Sequence, residues 1–338
     1  MELRKTFLRK SVCMKIKFMW KKIISKQVSL VALMLITINL FGQDPEFTQF
    51  YANPLYLNPA FAGSANCPRV SLNYRNQWPG ISGSFITSSA SYDQHVDNLS
   101  GGIGLLVWND RAGEGTLNTT NVSGMYSYQL PVTRRFSIKA GLQATWAQKS
   151  VDWSKLTFGD MIDARRGFVY NTNEVKRDAP SNYVDFSAGI LGYSEKYFVG
   201  IAVHHLTEPN ESVIKGESPL PRKFTFHAGA VIPLEGKGDV ATLSPNILFR
   251  MQQDFRQINF GMYYSKGPII GGLWYRNSDA FITLIGIQAG ILKFGYSYDI
   301  TISDLTNKTA GSHELSLGLQ FDCKPKKRKF RTISCPSF

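Results

Sequence analysis

From residue 69 onward the dominant signal is alternation of apolar and polar side chains, and a period of two dictates strands. In residues 136–147 one face reads Phe136, Ile138, Ala140, Leu142, Ala144 and Trp146, the other Ser137, Lys139, Gly141, Gln143, Thr145 and Ala147. Residues 292–300 repeat this, with Leu292, Phe294, Tyr296, Tyr298 and Ile300 against Lys293, Gly295, Ser297 and Asp299. So do residues 314–321, where four apolar side chains oppose Glu314, Ser316, Gly318 and Gln320. Two architectures use such strands. A soluble sandwich hides the apolar face in its core, whereas a transmembrane barrel turns that face to lipid and points small polar residues inward.

Connection lengths separate the two. Strands are expected near 69–76, 83–95, 100–109, 115–130, 134–148, 182–194, 197–206, 222–234, 240–253, 255–265, 268–276, 279–289, 290–302 and 311–322, about fourteen in all. The even-numbered connections are all short, whereas residues 149–181, 207–221 and 303–310 form long odd-numbered ones. Short periplasmic turns and long external loops characterise outer-membrane barrels, and a sandwich has no reason to alternate in this way. The expected fold is therefore all-β: a closed antiparallel transmembrane β-barrel of about 14 strands, with outer-membrane lipid against its apolar face. Trp108, Trp146, Tyr126, Tyr128, Trp274 and Tyr275, near strand ends, suit interfacial girdles. Inward Lys139, Asp185, Lys293, Asp299 and Glu314 suit a wet lumen.

No apolar run is long enough to span a bilayer as a helix. Residues 28–41 are shorter than the roughly 20 that a span needs and follow Lys21, Lys22 and Lys26, as in a secretory signal peptide cleaved after Gly42. The formal charge of +13 is concentrated at the ends: nine of the 38 Lys and Arg residues lie in residues 1–42 and six in 324–331. The body between is near neutral and offers no basic face to nucleic acid. The expected organisation is a signal peptide over 1–42 with an extended start, a lead-in or plug segment over 43–66, the barrel over 67–322 and a basic periplasmic tail over 323–338.

Residues 43–63, QDPEFTQFYANPLYLNPAFAG, set two Asn-Pro steps, Asn53-Pro54 and Asn58-Pro59, among Phe47, Phe50, Tyr51, Tyr56 and Phe61. Proline and the restriction on its predecessor exclude a continuous helix or central strand here. Asn53 is placed to cap a single helical turn with Pro54 at its first position. Taken alone, the segment is a Pro-punctuated lead-in that packs its aromatics near the first strand. Together with Gly63, Arg75-Asn76-Gln77-Trp78-Pro79, residues 101–107, Asp110-Arg111-Ala112-Gly113 and residues 311–317, it resembles the PorP/SprF family, outer-membrane proteins of the type IX secretion system of Bacteroidota. The resemblance implies a non-enzymatic barrel that works with the secretion machinery, a secreted cargo protein such as a gliding adhesin, and a periplasmic peptidoglycan-associated partner.

The residues give no independent sign of catalysis. No nucleophile elbow or zincin motif is present, and no cofactor is expected. His95, His204, His205, His227 and His313 lack metal-ligand spacing, and adjacent His204 and His205 are expected on opposite faces of one strand. The long connection combines Trp153, Phe158, Phe168 and Tyr170 with Arg165 and Arg166, the composition of protein-contact hot spots. It serves either as a partner surface or as a plug over the barrel mouth. Of the cysteines left after signal removal, Cys67 precedes the first strand, whereas Cys323 and Cys335 follow the last. Either Cys67–Cys323 or Cys67–Cys335 would staple the barrel seam, and the second also tethers the basic tail.

Overall fold

The computed structural model describes residues 43–113, 115–163, 165–173, 179–214, 216–234, 241–303 and 309–322. Its strands are β1 (Arg69–Gln77), β2 (Phe85–Val96), β3 (Gly101–Ala112), β4 (Leu117–Pro131), β5 (Phe136–Val151), β6 (Ile162–Asp163), β7 (Gly167–Phe168), β8 (Ser181–Ser194) and β9 (Tyr197–His204). They continue as β10 (Lys223–Ala230), β11 (Ile232–Leu234), β12 (Ala241–Gln252), β13 (Phe255–Lys266), β14 (Ile269–Arg276), β15 (Ala280–Ala289), β16 (Leu292–Thr301) and β17 (Ser312–Gln320). Apart from the β6–β7 hairpin, each strand pairs antiparallel with its neighbours in sequence order, and two contacts close the ring: β1 with β17, and β10 with β12. Strands β10 and β11 are one barrel strand interrupted at Val231, whose N–H turns to Lys196 O, so the barrel has 14 strands.

The alternation read from the sequence is the alternation of the wall. In β1 the side chains of Leu72 and Tyr74 face outward, while Ser71, Asn73 and Arg75 are buried inside. Leu142, Leu273 and Ile285 stand among the most exposed large apolar residues, as a lipid-facing surface requires. Among the described residues no helix is long and apolar enough to cross a membrane, and the crossing is made by strands. The long connections leave the ends of β5, β9 and β16 at one mouth; the opposite mouth carries the start of β1 and the end of β17.

Residues from Asp44 onward belong to one unit, and its apolar core lies inside the barrel. Phe50, Tyr51, Leu55, Leu57, Ala60 and Phe61, all from the segment before β1, pack against inward Leu106, Trp108, Phe198, Leu248, Tyr263 and Trp274. The segment therefore fills the lumen rather than covering the first strand. Trp108 and Trp274 are inward-facing and buried, which removes them from the expected girdle; Trp146, Tyr126 and Tyr128 are exposed on the outer face. The parity of Trp108 explains this, because it falls on the opposite face from Ile103, Leu105 and Val107.

Candidate functional site

Residues 44–63 thread the lumen from the long-loop mouth to the opposite one, and each stretch is held by a different kind of contact. At the long-loop mouth Asp44 accepts from His205 Nε2 at 2.8 Å and from Lys223 Nζ, while His205 Nδ1 meets Asp185 at 2.7 Å. Glu46 pairs with Arg250 at 2.9 Å. Burial disfavours the Asp44 carboxylate, but His205 and Lys223 outweigh it and hold the carboxyl well below its usual range. Burial likewise disfavours the His205 cation, yet Asp44 and Asp185 raise it to about 9. The expectation that His204 and His205 point to opposite faces is not met. Strand β9 ends at His204, and His205 turns back inward with φ 59°, bringing the two rings within 6.3 Å.

One turn further in lies a buried ionic cluster. Glu314, fully buried on β17, accepts main-chain N–H bonds from Thr48 at 2.5 Å and Gln49 at 3.0 Å, and pairs with Arg75 at 3.3 Å. Arg75 also meets Asp299 at 2.9 Å, and Arg276 joins Asp299 at 3.4 Å and Asp279 at 3.0 Å. Arg75 and Glu314 stand directly opposite in the β1–β17 register, so closing the barrel creates this cluster. Burying charges is tolerable only where each is paired and hydrogen-bonded, and here the segment's own amides complete the set. Lys139, Asp185, Asp299 and Glu314 do face inward, but they hold the segment or its mouth clamp instead of lining a wet lumen.

The middle stretch is apolar and aromatic. Phe50 packs edge-on against Trp274 with centroids 5.1 Å apart and beneath the Arg250 guanidinium, while Phe61 stacks on His227 at 5.3 Å. Pro54–Leu57 forms the single helical turn expected after Asn53. Asn53 does not cap it: its amide donates instead to Ser89 Oγ at 2.8 Å, because the wall offers a buried partner. Asn58 does the capping one step later, accepting from Ala60 N at 2.9 Å at the start of the Pro59–Phe61 turn, while its Nδ2 reaches Ile190 O and Ile201 O.

At the short-turn mouth Ala62 O accepts from Lys139 Nζ at 2.6 Å and Ser127 Oγ at 2.7 Å, and Gly63 N donates to Asp93, itself paired with Arg69 at 2.9 Å. Gly63 adopts φ 64°, and a Cβ there would lie 2.7 Å from Gly102 Cα. A Cβ on Gly141 would lie 2.4 Å from Ala60 N. The glycines of the motif and of the wall are thus points where two backbones touch.

The remaining singled-out residues lie at the rims. Gln77 accepts from Arg75 Nε at 3.4 Å, and Trp78, at φ 58°, turns the chain at the long-loop mouth and packs edge-on against Phe85. In the long connection Trp153 stacks on Phe158, while Arg165, Arg166, Phe168 and Tyr170 are exposed on the β6–β7 hairpin, whose turn is fixed by Asp163 accepting from the N–H groups of Arg165 and Arg166. The lumen itself is occupied by residues 44–63. Cys67 is disulfide-bonded; Cys323, Cys335, the basic tail and the signal segment lie outside the described residues. Among the described residues no three His, Cys, Asp or Glu side chains converge as a metal site.

Solved structures similar to the chain include the toluene transporter TodX of P. putida (9% identity, 79% of this chain and 93% of that one, TM-score 0.44). An outer membrane protein of Acinetobacter baumannii (8%, 76% and 100%, 0.43) and the toluene transporter TbuX of Ralstonia pickettii (10%, 79% and 93%, 0.42) are also similar. No curated protein sequence matches the chain. The family description "Type IX secretion system membrane protein PorP/SprF" matches residues 39–319, which include the lumen segment and every barrel strand up to the penultimate residue of β17. The chain is an outer-membrane β-barrel and belongs to the PorP/SprF family of type IX secretion system membrane proteins.

Proposed function

We propose that this barrel is a non-enzymatic docking component of the type IX secretion system, which binds or retains a secreted, adhesin-type surface protein through that protein's C-terminal signal domain. The observation that carries the reading is the occupied lumen: residues 44–63 fill it with paired charges and packed aromatics, so the surfaces left for partners are the mouths. At the long-loop mouth, Phe168 and Tyr170 stand exposed beside Arg165 and Arg166 on a turn pinned by Asp163, and Trp153 stacks on Phe158 earlier in the same connection. Aromatic and Arg side chains on a supported loop are the common anchors of protein interfaces. The opposite mouth would meet a periplasmic peptidoglycan-associated partner, with the basic tail as its contact, and Cys67 paired with Cys335 would fix that tail at the seam. The rival reading, a passive channel for small solutes, requires residues 44–63 to leave.

Affinity isolation of the protein from its native outer membrane, followed by mass spectrometry, tests the proposal. Secretion-system components and one large surface protein are expected, and their recovery should fall when Arg165, Arg166, Phe168 and Tyr170 are together replaced by Ser. Recovery of neither, with steady ohmic currents from the native protein in planar bilayers, would establish the channel instead.

A further inference from the structure

The outer face of the barrel changes character on one side. A spanning strand needs about 9–11 residues, yet β3, β4, β5 and β8 have 12, 15, 16 and 14. Ala90, Val107, Val122, Trp146 and Val184 stand in register across β2, β3, β4, β5 and β8, an outward apolar row in which Trp146 is 45% exposed. Two residues nearer the long-loop mouth, the next outward row reads Ser88, Asn109, Thr120, Gln148 and Asn182. The row beyond it holds Arg111, Asn118 and Ser150, with Ile86 as its apolar member. On the other half of the wall the outward positions nearest this mouth stay apolar, as at Val203, Phe224, Met251, Phe281 and Ile300.

The polar rows are tied together across the strands. Asn109 Nδ2 donates to Asn118 Oδ1 and to Thr120 Oγ1, each at 2.8 Å, and Gln148 Nε2 donates to Asn182 Oδ1 at 3.1 Å. The Nδ2 groups of Asn118 and Asn182 and the amide oxygens of Asn109 and Gln148 take no part in these bonds, so the fixed amides still present both donors and acceptors. Asp110 turns inward to accept from Thr87 Oγ1 at 2.5 Å, and the pleat then places its neighbour Arg111 outward, where it is exposed. A tryptophan at the edge of an apolar belt marks the headgroup level of a bilayer. The rows continue the lipid-facing wall, so a lipid whose chains lie on Val122 and Trp146 meets them with its headgroup. Neutral amides and hydroxyls match sugar hydroxyls, and a guanidinium matches a phosphate. A phosphorylated glycolipid, the characteristic lipid of an outer membrane's outer leaflet, carries both.

We propose that the outer face of β2–β8 above the Trp146 row is a binding surface for the sugar-phosphate headgroup of the outer-leaflet glycolipid, with its phosphate on Arg111 and its sugar hydroxyls on Asn109, Asn118, Gln148 and Asn182. Native mass spectrometry of the detergent-solubilised full chain, loaded with a lipopolysaccharide truncated to lipid A and inner-core sugars, tests this. The protein is expected to retain that glycolipid at least tenfold more than phosphatidylglycerol, which is anionic and occupies the same apolar belt. Arg111→Ala, Gln148→Ala and Asn182→Ala combined should lower retention at least tenfold. Ile300→Ala, on the apolar half of the wall, should leave it unchanged; the mobility of the unheated barrel on a gel reports folding of each variant. Equal retention of the two lipids, or unchanged retention in the combined variant, would overturn the proposal. So would a combined variant that keeps the glycolipid and instead loses a protein co-purifying with the native barrel, because the rows would then belong to a protein neighbour.

Discussion

Glu314 is the single side chain on which the lumen segment most depends, and replacing it with alanine gives a measurable consequence. The carboxylate accepts from two successive main-chain amides, Thr48 and Gln49, and balances Arg75. Its removal leaves both amides and one side of a buried guanidinium without an acceptor. Breaking a buried pair by deleting one partner costs about 3–5 kcal/mol, and the low end applies here because Arg75 keeps Asp299. In the released state these groups are solvated by the water that replaces the segment, so the cost falls on the docked state alone. At a factor of ten per 1.4 kcal/mol, about 3 kcal/mol multiplies the released fraction by roughly one hundred. Currents through single barrels in planar bilayers read this fraction directly. Rare openings of the native protein should lengthen or multiply about a hundredfold in Glu314→Ala and by less in Glu314→Gln, which keeps one acceptor oxygen. Glu195→Ala, on the exposed β8–β9 turn, should change nothing. A Glu314→Ala barrel that is folded and no more open than the native one would refute the view that this cluster holds the lumen closed.

Gly141→Ala, which sets a Cβ 2.4 Å from Ala60 N, should cost about 1–3 kcal/mol of docking and raise open time, whereas Gly124→Ala, with nothing within 4 Å, should not. The Asp44–His205 clamp should depend on pH. His205, raised from 6.5 to about 9, contributes fully below pH 6.5 and is lost through 9, while the lowered Asp44 contributes above 3.8 and is lost in acid, so protease access to residues 44–49 should be lowest near pH 4–6.5, rise toward 9.5 and become flat across that alkaline range in His205→Gln. Spin labels should meet a lipid-soluble quencher strongly at Phe294 and weakly at Ser297; the reverse would overturn the register. Trypsin added to intact cells should cut at the exposed Arg165–Arg166 turn, and cutting only after the outer membrane is opened would invert the topology.

The wall was legible because each strand states its own facing: a residue's parity relative to its neighbours suffices, and β17 follows the alternation of residues 314–321 to within two residues. The same rule, applied strictly, would have placed Trp108 inward; proximity to a strand end was the weaker guide. What the lumen holds was not legible by parity, since it depends on which distant inward groups meet residues 44–63. Arg75 and Glu314 are 239 positions apart and oppose each other only once the ring closes. Asn53 shows the limit of local rules in another way: the helical turn after it forms as its sequence requires, yet the capping atom is drawn to Ser89 on the wall. His205 departs from strand geometry for a similar reason, because two carboxylates inside the mouth reward a left-handed residue that a strand pattern does not foresee.

The distribution of contacts along residues 44–63 also fixes the direction in which the segment leaves the lumen. Its short-turn end is continuous with β1 through residues 64–68, and its backbone is pressed against Gly102 and Gly141, so that end has nowhere to travel. Its other end is held by side-chain charges: Asp44 on His205 and Lys223, Glu46 on Arg250, and the Thr48–Gln49 amides on Glu314. Charge pairs near a mouth weaken as water and salt reach them, whereas close backbone contact and chain continuity do not. Opening therefore starts at the long-loop mouth and proceeds inward past the ionic cluster, with the aromatics of residues 50–61 the last to go. An occupant arriving from the long-loop side meets the releasable end first, and one arriving from the short-turn side meets the anchored end.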